Sequence, residues 1–136
     1  MRVTLSRRGD YAVRTMVALG REPFGNVLSV ARIAERMDIP SRFLAHVLAD
    51  LGRAGLVIGR AGRSGGYRLA VPASEISLLQ IVDAAERDVE GRCVLRGGPC
   101  DVAGRCAVHD AFWAATSAVR SELAATTLAN VSHRPA

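Results

Sequence analysis

Three cysteines, Cys93, Cys100 and Cys106, are the only ones in the 136-residue chain, and they fall in one short stretch. Their spacing is C-x6-C-x5-C, with His109 three residues beyond the last. Thiolate and imidazole suit both zinc and iron–sulfur centres, so spacing alone leaves the two open. Gly91, Gly97, Gly98 and Gly104 let the backbone curl, which three converging sulfurs require. Arg92, Arg96 and Arg105 are expected to favour thiolates and to offset the negative charge of a thiolate-bound centre. Inert buried cysteines, a redox-active thiol pair with one sulfur left over, and a structural Cys₃His zinc site are the competing readings.

The other chemistry-bearing residues are arginines. All 18 basic residues are Arg. Residues 1–72 hold 12 Arg against 5 acidic residues (+7), whereas residues 73–136 hold 6 against 8 (−2). A basic half joined to a mildly acidic half points to a polyanion met at one end. His46, His109 and His133 offer no recognisable nucleophile–base pairing, and no phosphate-binding loop is present. An enzyme is not expected.

The elements that position these residues follow from periodicity. Ser6 to Gly20 reads as a helix, with Tyr11, Ala12, Thr15, Met16 and Leu19 at three- and four-residue steps. Ser29 caps a second helix through Met37. Asp38-Ile39-Pro40 breaks it, and Ser41 is expected to cap a third. There Leu44, Val47, Leu48 and Leu51 face inward, leaving Arg42, His46, Ala49 and Arg53 near the other face, and Gly55 ends the helix. Two short helices around a tight turn make a helix-turn-helix. Strands over 56–60 and 67–70, joined by a glycine-rich tip, then form a hairpin wing carrying Arg60, Arg63 and Arg68.

Ser77 caps a further helix to Ala85, and a longer one runs from Cys106 to about Ala125. Val108, Phe112, Ala115, Val119 and Leu123 repeat along it, a seam more useful against a second subunit than against a core already filled. Thr126 or Thr127 caps a last turn to Val131, and residues 132–136 are expected to fray. The fold expected is mainly α: a winged helix-turn-helix with a small hairpin wing and a long C-terminal dimerisation helix. Its parts are a DNA-binding region (1–72), a connecting helix and cysteine loop (73–105), and a dimerisation helix with tail (106–136). No leader is apparent, and no stretch approaches the ~18 apolar residues of a membrane span. A cytoplasmic protein, where thiols stay reduced, is expected.

These features resemble the Rrf-type family of bacterial transcription regulators, with its IscR-like and NsrR-like iron–sulfur branches. The likeness is carried by residues 6–14 (SRRGDYAVR), the helix-turn-helix from Ser29 to Leu56 and the wing RSGGYRL at 63–69. The cysteine loop and the ATTLA ending at 125–129 extend it over nearly the whole chain. The resemblance implies a homodimer on palindromic promoter DNA, paired through the helix after Cys106, with the cluster near the partner's first helix. It implies Cys93, Cys100 and Cys106 as ligands of a 2Fe–2S or 4Fe–4S cluster. His109 matches the fourth ligand of the 2Fe–2S regulators. Asp10, donated from the partner subunit, matches that of the 4Fe–4S nitric-oxide sensors, and Asp10 pairing with Arg14 is the competing reading. The family's base-reading positions fall at Arg42, Ala45 and His46, with Ser41 beside them. Arg60 and Arg63 are expected on phosphate or in a minor groove. Function is expected to be that of a repressor whose cluster senses nitric oxide, redox stress or iron–sulfur status, with zinc or a thiol switch as the alternative.

Overall fold

The computed structural model of the chain describes residues 1–86, 93–95 and 106–134. Among them are six α-helices, a single-turn 3₁₀ segment and a two-stranded hairpin. Helix α1 (Arg7–Gly20) starts where the Ser6 hydroxyl accepts from the Gly9 N–H, and it sinks Ala12, Met16, Val17, Ala18 and Leu19 into the core. Thr15, also fully buried, donates its hydroxyl back to the Tyr11 carbonyl at 2.7 Å, which spares an unpaired polar group.

Helix α2 (Val30–Met37) is capped by the Ser29 side chain and stops at Asp38, whose φ of 52° is left-handed. Helix α3 (Ser41–Arg53) departs from expectation at its start. Pro40 holds the cap position, no side chain caps, and Ser41 is the first helical residue. Leu44, Val47, Leu48 and Leu51 are buried as their spacing required, and Gly55 takes φ 75° just past the end.

Strands β1 (Val57–Arg60) and β2 (Gly66–Leu69) pair antiparallel, Val57 opposite Leu69 and Arg60 opposite Gly66. The second strand therefore begins one residue earlier than the alternation suggested. Leu28 and Tyr67 exchange both backbone hydrogen bonds (2.9 and 2.8 Å), so the segment before α2 clamps the hairpin. A side chain on Gly66 is excluded there: its Cβ would lie 2.0 Å from the Leu28 carbonyl oxygen.

Helix α4 (Leu78–Ala85) opens with a capping box of Ser77 and Gln80, and α6 (Leu128–Val131) with one of Thr127 and Asn130. Backbone bonds from Leu78 to Thr126 and from Leu128 to Ile76 tie the two starts together. The long helix α5 (His109–Ala125) begins three residues later than expected, with Cys106–Val108 in the preceding turn. The core gathers Met16, Ile33, Leu44, Leu51, Ile81 and Leu128, all under 2 % exposed, each stabilising the fold by about 1.5–3 kcal/mol. No residue of α5 is buried.

The expected fraying of 132–136 is corrected for 132–134. Ser132 is fully buried, its carbonyl accepts from Arg21 Nε and that of Arg134 from Arg21 Nη2, both at 2.6 Å. Pro135 and Ala136 lie outside the described residues. Among the described residues, no helix is long and apolar enough to cross a membrane.

Candidate functional site

Because α3 turns its leucines inward, its other face is open. Ser41, Arg42, Ala45, His46 and Ala49 are all exposed. Arg60 at the end of β1 and Arg63 in the tip are exposed as well, the tip turning on Gly62 at φ 100°. Ion pairing sets the three arginines of this face apart from five others. Arg8, Arg14, Arg36, Arg53 and Arg120 are bound to carboxylates. Among the described residues no carboxylate lies within salt-bridge distance of Arg42, Arg60 or Arg63. The second set is the one available to phosphates and base edges.

Two contacts hold α3 in place. Asp50 lies on its inner side at 6 % exposure and accepts from Arg8 Nε of α1 and from Arg53 Nη2. Donation of this hydrogen bond to the carboxylate raises the Arg8 pKa above its ordinary value, against an opposing desolvation. At the other end, Phe43 meets Tyr11 of α1 in a tilted ring pair, centroids 5.9 Å apart. Sequence reasoning missed both contacts. Asp50 carried a signal, an acid one residue from Leu51 in a buried stripe, since a buried carboxylate demands a partner.

Asp10 accepts from Arg14 Nε at 2.9 Å, the i,i+4 pairing weighed against a ligand role. Arg14 also donates to the Met37 carbonyl and lies 6.0 Å from the Tyr11 ring centre. Asp10 lines an open groove of about 540 Å³ with Ser6, Tyr11, Arg14 and Asp38. To serve as a ligand it would have to leave Arg14.

Of the cysteines expected to be ligands, Cys93 is buried at 3 % exposure and Cys106 is half-buried just before α5. The His109 N–H donates to the Cys106 carbonyl at 3.0 Å, placing the imidazole at the head of α5. It stacks on Trp113 one turn later, planes 8° apart and centroids 6.3 Å apart. Cys100 lies outside the described residues, as do Gly91, Gly97, Gly98, Gly104, Arg92, Arg96 and Arg105. Among the described residues no three metal-ligating side chains share a site. The donor set fits a thiolate-bound centre in kind, since one sulfur is shielded from water and an imidazole follows another sulfur by three residues.

A contact at the root of this segment gave no sequence signal. Glu86, the first residue after α4, accepts the Ser6 N–H on Oε1 at 2.7 Å. The carboxylate sits where a Cβ on Gly9 would be, 2.1 Å from Oε1.

Comparison with known proteins matches residues 5–134 to the model of the Rrf2 family, described as "Iron-dependent Transcriptional regulator". A Mycobacterium tuberculosis protein named as an HTH-type transcriptional regulator, Rv1287, is 36% identical over 133 residues, covering 93% of this chain and 80% of its own. The crystal structure of Staphylococcus aureus CymR in its oxidized form superposes with a TM-score of 0.75 at 26% identity, covering 98% of this chain and 99% of that one. The T. potens IscR structure gives 0.74 at 27% identity, covering 94% and 85%.

Proposed function

The chain belongs to the Rrf2 family of transcriptional regulators, and from that premise we propose a homodimeric, iron–sulfur-dependent repressor of palindromic promoter DNA. The family's members and its relatives are regulators, not enzymes. The observation that carries the reading is the outward stripe of α3, where Arg42 and His46 stand exposed, followed in sequence by the wing with its unpaired arginines. Arg42 has two N–H groups that suit guanine O6 and N7 in a major groove, with His46 and Ser41 reading beside it. Arg60 and Arg63 take phosphate or the minor groove. Two copies joined through α5 set the recognition helices one helical turn apart, about 34 Å.

Residues 1–72 form the DNA-binding region, 73–105 the connecting helix and cysteine loop, and 106–136 the dimerisation helix and tail. Cys93, Cys100 and Cys106 hold the cluster, with His109 as fourth ligand in preference to Asp10 of the partner subunit, which Arg14 already engages. When bound, a 2Fe–2S or 4Fe–4S cluster supplies a centre sensitive to nitric oxide and oxidants. The work of the chain is to hold the sulfurs and shield Cys93 from water. The cytoplasm keeps such thiols reduced.

The S. aureus neighbour solved in an oxidized form favours one second reading, in which the three cysteines act as a thiol switch without metal. An anaerobic visible spectrum with iron and sulfide counts separates the two, repeated after nitric oxide and paired with promoter binding in each state. Brown protein with labile sulfide whose DNA affinity changes on treatment supports the cluster. Colourless protein lacking sulfide sinks it.

A further inference from the structure

Helix α4 is fastened to the body of the molecule, and α5 is fastened to α4. Ile81 and Ala85 of α4 are buried in the core, and α4 packs against α1 and against the recognition helix α3. No residue of α5 is buried, so contacts along its edge, more than core packing, set its direction. Among the described residues, two hydrogen-bonded ties join α5 to α4. Where α5 ends, the Thr126 carbonyl accepts from the Leu78 N–H at 2.9 Å. Six residues earlier, Arg120 donates through Nη1 and Nη2 to Oδ1 and Oδ2 of Asp83, both at 2.9 Å. The two ties are separated by about 9 Å along the helix axis, at 1.5 Å per residue. One tie leaves a helix free to swing, whereas two separated ties define a line. The parallel fork of guanidinium and carboxylate also fixes how its partners are turned, which a single hydrogen bond does not.

We propose that Asp83 and Arg120 are positioning residues that set the half-site spacing this regulator accepts, by holding α5 at one angle to the body that carries α3. This rests on the proposed homodimer, paired through α5 and reading a palindrome. Each recognition helix of that dimer stands about 17 Å from the two-fold axis, half of one helical turn of DNA. A change of about 10° in the angle of α5 displaces it by about 3 Å, close to one base-pair step. Angle therefore becomes spacing: a clamped dimer fits one separation, and an unclamped dimer fits several with less preference. Neither residue stands on the recognition face, and both act through where Arg42 and His46 are presented. Exposed ion pairs add little to stability, and both side chains are half-exposed, so the consequence of the pair is geometric.

The probe is a palindromic duplex selected from a random library by the purified wild-type protein, remade with its halves moved together or apart by one and two base pairs. The wild type is expected to prefer the selected spacing by about tenfold or more, because a wrong separation prevents both halves from being engaged at once. Asp83→Asn removes the charge, and Arg120→Lys keeps the charge but loses the fork. Each should lower the preference below about threefold. The dimer in sedimentation velocity, the melting temperature and the affinity for a single half-site should stay as in the wild type. Asp83→Glu, which keeps both carboxylate oxygens, should lie closer to the wild type than Asp83→Asn does, and the reverse order overturns the role. So does a wild-type preference retained in both Asp83→Asn and Arg120→Lys. Loss of the dimer or of single-half-site affinity in either variant also overturns it, since the pair would then serve assembly or the recognition surface itself. A wild type that is monomeric, or that selects no palindrome, overturns instead the reading of paired subunits, and the spacing role with it.

Discussion

Arg42 and Arg63 carry the same charge on exposed, carboxylate-free side chains, yet one stands on the outward face of a helix and the other on a loop tip. A base-reading arginine loses affinity selectively, and a phosphate-binding one loses it everywhere. Arg42→Ala should cost about 1–3 kcal/mol on the promoter and relax base choice at that position. Arg63→Ala should weaken specific and scrambled duplexes alike and lower the slope of log K against log salt by about 1. Fluorescence anisotropy on both duplexes across a salt series distinguishes them, and the opposite pattern reverses the assignments. Glu22 belongs at the same scale. Hydrogen bonds from Arg36 (2.7 Å) and then Asn26 (2.7 Å) hold its carboxyl below the ordinary carboxylate range. A folded-state pKa below the unfolded value stabilises at pH above the unfolded value, about 4.3, and that stabilisation is lost as pH falls through the folded one. Glu22→Gln should therefore destabilise at neutral pH, by under about 1 kcal/mol because Arg36 is 42% exposed, and should match the wild type in acid. Equal differences at pH 7 and pH 3 in chemical denaturation would remove the ion pair as their cause.

The wing depends on backbone contacts that only glycine permits. Gly66 has φ 152°, and its missing Cβ would sit 2.0 Å from the Leu28 oxygen and 2.5 Å from the Leu28 carbon. Both are backbone atoms on the far side of a two-bond bridge, so neither can swing aside. Gly66→Ala should cost about 1–3 kcal/mol and release the hairpin from Leu28. On DNA it should reproduce the uniform loss and flattened salt slope of Arg63→Ala, and normal DNA binding by this variant would detach the wing from recognition. The glycines of this tip were legible in the sequence, as were the inward leucines of α3 and the caps Ser29 and Ser77, with the last cap narrowed to Thr126 or Thr127. Each is decided by neighbours within about four residues. What escaped was set at a distance. Ser132 is buried because Gly20 leaves room beside it and Arg21 binds its carbonyl, 111 positions away. Asp10 with Arg14 was foreseen at i,i+4, whereas Arg8 with Asp50 and Ser6 with Glu86 join residues that periodicity does not relate.

At the scale of the whole molecule, α5 is the α-helix that the described residues leave uncovered. Its 17 residues include none that is buried, although Phe112, Trp113, Val119 and Leu123 lie along it, with Phe112 37% and Trp113 69% exposed. Arg120 fixes it to Asp83 of α4 through a bidentate pair, both bonds 2.9 Å, and the α6 segment returns the chain to the core. In the proposed homodimer a second copy covers the exposed apolar side chains of this helix, which are unfavourable against water. Phe112→Glu puts a charge on the seam without opening a cavity in the protomer, so the melting of the monomeric core should change little. In sedimentation velocity the variant should shift from dimer to monomer. Its affinity for a two-half-site promoter should fall by about 10²–10⁴-fold, the avidity lost when linked half-sites are read separately. Binding to a duplex with a single half-site should not change, because Arg42, His46 and the wing remain in place. The proportion between these two effects is decisive: equal losses on both duplexes would mean that the substitution had damaged the recognition surface. A persistent dimer with undiminished promoter affinity would mean that some other face joins the subunits.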